Sequence, residues 1–361
     1  MIFDASAPLS PVFQGAIGAI LKEVLAVRRA EIADLDAALG PVCDLMAPLA
    51  IGGKHIRAAF VWWGHVAVAG EPADPGPLRK LAASLDLIHA GLLAHDDLID
   101  DSATRRGRPS LHIAAAALAD PPNGALGDAA AIIGGVLLMQ WGDQLAEQSG
   151  LLKPAARAAF DDLRTRVLTG QLADAWASAG RHLTGPGGGT ELSHAQAVAE
   201  IDDLKSASYT VVGPTRLGAL AADADDSQLD ALERFAVPVG RAFQARDDIL
   251  GVFGDELRTG KPAGNDLRQG KVTSLVESAL HLATADERTD LRSVIGDATA
   301  SDADVARARD IIASCGALAA VEQAISHNVA SGLSALAEAK LRPAGRAGLI
   351  SLAQAATNRD R

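Results

Sequence analysis

Aromatic residues make up only 3% of this 361-residue chain, and only one of them is a tyrosine. Sheets draw on aromatic and β-branched side chains, so this shortage, beside plentiful alanine and leucine, argues for closely packed helices. Cysteine is scarce too. Cys43 and Cys315 lie far apart and neither sits in a CxxC pair, which excludes a disulfide framework or a zinc knuckle and leaves two core thiols in a reducing cytoplasm as the expectation. Basic charge falls short of acidic charge, 33 Lys+Arg against 45 Asp+Glu, for a net charge of −12. That balance speaks against nucleic acid and anionic membrane surfaces as partners. The N-terminus, MIFDASAPLS, lacks both a basic region and an apolar run, so no signal peptide is expected. The longest apolar run, AAAIIGGVLLMQWG, is interrupted by glycines and too short to cross a bilayer. A cytoplasmic protein without stable membrane insertion is expected. GxSxG and CxxC…CxxC patterns are absent.

What the chain does have is helical periodicity. PVFQGAIGAILKEVLAVRRAEIADLDAAL, residues 11–39, repeats apolar positions every three or four residues. The same spacing predicts helices near 56–69, 77–100, 127–148, 154–179, 193–222, 227–254 and 272–283, and several more over 285–357. Ser227 with Asp230 resembles a helix cap. No strand alternation and no fixed-period repeat stands out. Loops are expected at GEPADPG (70–76), DPPNG (120–124) and TGPGGGT (184–190). The last lacks the GxxxxGK[ST] spacing of a phosphate loop and reads as a connection between helices. The simplest organisation is one all-α domain over 1–361, with a core over about 50–275 and C-terminal helices over about 285–357 that could be semi-independent.

Into this acidic background HAGLLAHDDLIDDSATRRGRPSLH (89–112) packs four aspartates and, just after them, two adjacent arginines. On a helix turning about 100° per residue, His89, Asp96 and Asp100 fall within about 20° of one line, with Leu92 on the same side. Asp97 and Asp101 lie further round. Carboxylates one turn apart repel, and a helix C-terminus disfavours anions. A solvated acidic turn would tolerate that cost. A hard-cation site would use it, because Mg2+ takes one or two carboxylates and completes its shell with substrate phosphates. Arg105 and Arg106 alongside favour the second reading, since guanidinium forks match phosphate oxygens.

FQARDDILGVFGDELRTGKPAGNDLRQGK (243–271) repeats the theme, with Gln244, Asp247 and Asp248 on one helical face and Lys261, Asp266 and Lys271 after it. Upstream, GGKHIR (52–57) places Lys54 and Arg57 beyond two glycines. With GQLAD (170–174) and KSASYT (205–210), these motifs stand in the order found in chain-elongating isoprenyl diphosphate synthases, the polyprenyl synthetases, and the chain resembles that family from about Gly52 to Lys271. A lone DDxxD is weak; the ordered set is specific.

The resemblance implies an orthogonal helical bundle around a central cavity, of the isoprenoid synthase type. It implies a Mg2+-dependent prenyltransferase that condenses isopentenyl diphosphate with an allylic diphosphate, up to three ions with substrate bound, and a homodimer. By matched position, Lys54, Arg57, His89 and Arg106 would bind isopentenyl diphosphate, and Arg105 the allylic diphosphate. Asp96 and Asp100 would be metal ligands with Asp97 in support, and Asp247, with Asp248 beside it, would serve the second metal site. Lys205, Ser206, Gln244 and Lys261 would hold the allylic diphosphate or face the developing cation, and Lys271 joins the substrate-binding cations. The chain also departs from the pattern. His55 stands where the family commonly has arginine, Ser206 where it has threonine, and Gly251 where many members have a third aspartate, for which Asp255 is a candidate substitute.

Fifteen-carbon synthases of the family tend to carry an aromatic four or five residues before the first aspartate. Those positions here are Leu92 and Gly91, so an open floor and a geranylgeranyl or longer product are expected. Met139 and Trp141 are either ordinary core or a lower floor. A class I terpene cyclase is the alternative, but it would not need the second diphosphate pocket and has an NDxxSxxxE pattern absent here. A non-catalytic subunit of a heteromeric synthase is the other, and the intact first motif argues against it.

Overall fold

Ser10 accepts a hydrogen bond from the Phe13 N–H, and Pro11 occupies the first helical position, so α1 (Pro11–Leu35) starts where a cap and a fixed φ coincide. It ends earlier than its periodicity predicts. Asp36 turns extended and accepts from Ala38 N at 2.9 Å, which converts the next residues into a 3-10 turn, Ala37–Leu39. Asp side chains compete with the helix for backbone donors in this way. A helix that the periodicity did not separate, α2 (Gly40–Ile51), follows.

The chain then forms α3 (Ile56–Ala69), α4 (Gly76–Ile99), a two-residue hairpin of β1 (Thr104–Arg105) and β2 (Arg108–Pro109), α5 (Leu111–Ala116), α6 (Gly124–Glu147), α7 (Pro154–Ser178), α8 (His194–Asp202) and a π-helical stretch (Asp203–Val212). After it come α9 (Gly213–Ala221), α10 (Asp226–Phe253), α11 (Asn265–Arg268), α12 (Ser274–Leu282), α13 (Ala285–Val294), α14 (Asp302–Ser314), α15 (Ala317–Ala337) and α16 (Pro343–Thr357). This computed structural model describes residues 2–179, 181–184, 191–254, 264–271, 273–337 and 339–358, with the backbone alone for His194, Ala195 and Ser206. The all-α expectation holds, and the helix starts near 56, 76, 154, 194 and 226 follow the sequence periodicity closely. The cap of α10 differs: Asp225, not Ser227, makes it, in a reciprocal box with Gln228 (2.8 and 3.1 Å). Most of the TGPGGGT loop lies outside the described residues.

Two compact units are formed, each from separated segments. The first holds Met1–Ala158, Pro214–Gln228 and Leu341–Leu352; the second holds Ala159–Gly213, Leu229–Lys340 and Ala353–Arg361. The chain beyond residue 285 thus contributes to both.

The scarce aromatics are divided between the two units, and those near the N-terminus cluster in the first. Phe3 meets Phe13 and Trp62 edge to face at 5.0 and 4.7 Å, and Phe60 and Trp63 of α3 are fully buried. Leu81, Leu85 and Ile88 of α4 are buried as well, each contributing about 1.5–3 kcal/mol by leaving water. Helix α4 packs mainly against α6. A Cβ on Gly91 would collide with the Gly135 carbonyl and come within 2.7 Å of Met139 Cγ. Two backbones this close need glycine. The apolar run within α6 belongs to a longer 24-residue helix, which by length and composition alone is long and apolar enough to cross a membrane. Its glycine face rests on α4. In the second unit, Ile249 and Val252 of α10 share a core with Leu275, Leu291, Val305, Ile312 and Ile325 from α12 to α15.

Candidate functional site

In the first unit the site is built around the C-terminal end of α4. Ile99 is the last helical residue; Asp100 caps the helix, its N–H still bonded to the Asp96 carbonyl at 2.9 Å, and Asp101 turns left-handed at φ 48°. The helical stripe of His89, Asp96 and Asp100 therefore survives, while Asp101 leaves the helix.

The hairpin just after α4 was not legible as strands. Arg106 (φ 54°) and Gly107 (φ 72°) form its turn, the pair of positive φ values a tight two-residue hairpin requires. Arg105 pairs with Arg108 across it, and the turn sends the two arginines to different targets. Arg105 clamps Asp97, with Nε at 2.9 and 3.1 Å from the two carboxylate oxygens and Nη2 also on Oδ1, and reaches Asp96 at 3.5 Å. Arg106 donates to the carbonyls of Gly52 and Leu49 in the GGKHIR segment. Its guanidinium lies against Gly53, where a Cβ would sit 2.8 Å from Nη2. Gly53 itself adopts φ 111°, so this loop needs glycine both for conformation and for room.

Asp97 is fully buried, whereas Asp96 and Asp100 are half-buried. The aspartate pair is thus divided: Asp97 is held by Arg105, and Asp96 and Asp100 keep the more open face. Around His89, burial first and then the charges of Arg57, Arg106 and Arg105 hold the imidazole well below its usual range, so it is neutral near pH 7. Burial and the Arg105 charge also lower Arg106, against the pull of Asp86. A neutral imidazole among three guanidiniums is chemically suited to a polyanion.

The second unit repeats the division. Asp248 is 2% exposed; Gln244 Nε2 donates to its Oδ1 at 2.7 Å, and Ser274 Oγ and N donate to its Oδ2 at 2.9 and 3.3 Å. Asp247 stays half-buried. Arg246 between them forks onto Glu322 at 2.8 and 2.6 Å and donates to the Thr357 carbonyl at 2.8 Å, which fastens α10 to α15 and the end of α16. Lys205 lies in the π-helical stretch, a device frequent at functional sites, and its Nζ is 2.6 Å from Asp174 of GQLAD. A Cβ on Gly251 would collide with the Asp266 carboxylate, so Asp266 already fills the space of a third motif aspartate. Lys271 N donates to the Asp266 carbonyl at 3.0 Å. Lys261, Asp255 and the Ser206 side chain lie outside the described residues.

Sequence reading missed Asp202. Burial first, then the charges of Asp248, Asp203 and Asp174, push it up to about 8. Asp248 is raised to about 7, chiefly by burial, with Asp266 and Asp247 adding and the Ser274 and Gln244 hydrogen bonds opposing. Both folded values exceed the unfolded value of roughly 3.9. Their stabilising contribution is therefore full below about pH 4 and is lost as pH rises through 7 to 8. The metal-free protein should have a lower urea midpoint at about pH 9 than at about pH 6, and Asp202→Asn should flatten that decline. A midpoint that climbs with pH across this window would contradict the assignment.

Among the described residues no three His, Cys, Asp or Glu side chains converge as a preformed metal cage. Mg2+ does not need one: it is commonly held through one or two carboxylates with phosphates and water. Asp96 and Asp100, hard oxygen donors one turn apart on the open face, fit that use.

The family comparisons agree with this geometry. The polyprenyl synthetase family profile matches residues 42–312. A geranylgeranyl diphosphate synthase of Mycobacterium tuberculosis is 30% identical over 318 residues, covering 85% of this chain and 80% of that protein. A geranylfarnesyl diphosphate synthase of Aeropyrum pernix is 31% identical over 278 residues, 74% of this chain and 77% of that one. The crystal structure of a Corynebacterium glutamicum geranylgeranyl pyrophosphate synthase, complexed with isoprenyl diphosphate and magnesium, superposes with a TM-score of 0.89 at 32% identity, over 99% of this chain and 100% of that one. Ordered motifs, divided aspartate pairs, all-α architecture and these likenesses coincide, and the chain belongs to the polyprenyl synthetase family.

Proposed function

We propose that the chain joins isopentenyl diphosphate to an allylic diphosphate, head to tail, giving geranylgeranyl diphosphate or a longer product. The observation that carries this reading is the cradle of His89, Arg57, Arg105 and Arg106 beside Asp96 and Asp100. An enzyme that folds one allylic diphosphate on itself has no use for a second anion pocket of this kind.

Lys54, Arg57 and His89 hold the isopentenyl diphosphate. Arg106 shapes that pocket through the Gly52 and Leu49 carbonyls. Arg105 faces the allylic diphosphate and keeps Asp97 in place, so that Asp97 orients Asp96 and Asp100, the metal ligands. Magnesium, when bound, supplies neutralisation of the diphosphate charge as the allylic C–O bond breaks. Asp247 is the second-motif ligand, oriented by the buried Asp248, and Lys205 and Gln244 serve the allylic side with Ser206, Lys261 and Lys271. Apolar walls keep water from the allylic cation. The isopentenyl double bond attacks it, and the released diphosphate takes the proton that is lost. Up to three magnesium ions with substrate bound, a homodimer and a cytoplasmic setting complete the proposal. The exposed Ile132, Ile133 and Val136 on one face of α6 support self-association, and two free thiols fit a reducing compartment. Because each unit is assembled from interleaved segments, we propose one catalytic domain over the whole chain.

The test incubates purified protein, Mg2+ and isopentenyl diphosphate with five-, ten-, fifteen- and twenty-carbon allylic primers in turn. Products are identified by mass before and after phosphatase treatment. Elongated diphosphates support the reading; a hydrocarbon or alcohol formed without isopentenyl diphosphate overturns it, as does failure to turn over any primer.

The same assay divides the two chain-length candidates. Leu92, one turn before Asp96, should accept Leu92→Phe and give shorter products. Gly91→Phe has no space against Gly135 and Met139 and should lower stability by about 1–3 kcal/mol through overpacking. A well-folded Gly91→Phe enzyme with shortened products would show that position 91 faces the growing chain.

A further inference from the structure

Position 55, where the family commonly carries arginine, is a histidine that the structure turns inward. His55 is 6% exposed and Asp86 on α4 is 7% exposed; His55 Nδ1 lies 2.8 Å from Asp86 Oδ2. His55 adopts a left-handed backbone, φ 53° and ψ 40°, at the residue that begins α3, and makes no side-chain cap there. A residue with a Cβ stays in that region only where its surroundings over-determine it. Here the consequence is visible in the neighbours: Lys54 is exposed while His55, next to it, is buried. The turn thus divides the two side chains, ammonium outward and imidazole inward, and the buried ring is the anchor.

The same segment is held on its other side by Arg106, through the Gly52 and Leu49 carbonyls. Asp86 lies one helical turn before His89 on α4, and its charge acts on Arg106. A buried polar pair of this sort is weak as a source of stability, because apolar side chains of similar volume often serve as well or better. Its better-attested use is to fix one geometry among several.

We propose that His55 and Asp86 are a positioning pair that fixes the Gly52–Arg57 segment so that Lys54 and Arg57 present their charges to isopentenyl diphosphate. The pair touches no substrate. It sets affinity for the second substrate and leaves ionisation of the allylic one to other residues. This rests on the assignment of Lys54 and Arg57 to isopentenyl diphosphate, which the experiment checks separately.

The experiment measures kcat and both KM values, with the thermal midpoint, for full-length His55→Leu, Asp86→Leu, His55→Gly, Asp86→Asn and Lys54→Ala. Breaking the tie should raise KM for isopentenyl diphosphate roughly tenfold, with much smaller changes in kcat and in KM for the allylic primer, as expected when one binding element is misplaced. His55→Gly relaxes the backbone but deletes the ring and should show the same loss. Asp86→Asn keeps an acceptor oxygen and should recover most of it. Should the leucine variants fail to fold, the glycine and asparagine variants decide alone. Equal rises in both KM values, or a lowered thermal midpoint with unchanged KM values, would reduce the pair to a structural contact and overturn the proposal. If Lys54→Ala raises KM for isopentenyl diphosphate and the His55 and Asp86 variants do not, only the pair is refuted. If Lys54→Ala has no effect either, the pocket assignment falls and the proposal falls with it.

Discussion

Alanine at Asp96 is expected to lower kcat about 10³–10⁴-fold, the several kcal/mol that metal-assisted charge neutralisation supplies to a transition state. The fold should be unaffected, because Asp96 is half-buried and its contact with Arg105 is long, at 3.5 Å. Asp101, only five residues on, is exposed and left-handed, and alanine there should leave kcat near that of the parent. Single-turnover rates over a series of Mg2+ concentrations, with circular dichroism to confirm folding, give the comparison. Parent-like turnover by the Asp96 variant would refute its place as a metal ligand. An equal loss at Asp101 would mean that bulk acidity, and not the open face of α4, is what the reaction uses.

Arg105→Leu should destabilise the protein by about 3–5 kcal/mol, because it strands the Asp97 carboxylate as an unpaired buried charge. The two side chains are 16% and 1% exposed, so water can do little to replace the guanidinium. The double variant Arg105→Leu/Asp97→Leu should recover much of that loss, since removing both partners leaves no orphan. Urea unfolding of the parent, both single variants and the double variant closes the cycle. Additive losses would mean that the two residues do not act as a pair. Activity should not return with stability in the double variant, since Arg105 is also assigned to the allylic diphosphate and Asp97 to orienting Asp96.

Helices and motif order were legible because both are written along the chain. Apolar spacing marks a buried helical stripe wherever it occurs, and the aspartate and arginine clusters stand in a fixed order along the chain. The illegible parts depend on distant partners or on local backbone. The Arg106–Gly107 turn is two residues long and carries no strand periodicity. The π-helical stretch that holds Lys205 follows a capped α8 with no sequence mark of its own. Asp202 looks like any helix-surface carboxylate until its neighbours, Asp174 and Asp248, are brought to it from 28 residues before and 46 residues after in the numbering. Asp266 could not be seen as the filler of the Gly251 space, because that pairing is a matter of volume across a fold.

By itself, then, the sequence determined the all-α class, the positions of most helices, the family and the set of charged residues proposed to carry the chemistry. Each of these follows from residue type and spacing, which need no partner to be read. Only the tertiary structure decided which aspartate of each pair is buried and which is open, that Arg105 and Arg106 point to different targets, and that His55 turns inward to Asp86. Those outcomes rest on burial and on contacts between residues far apart in the chain. A carboxylate's role is set by whether a guanidinium or water faces it, and spacing along one helix does not encode that.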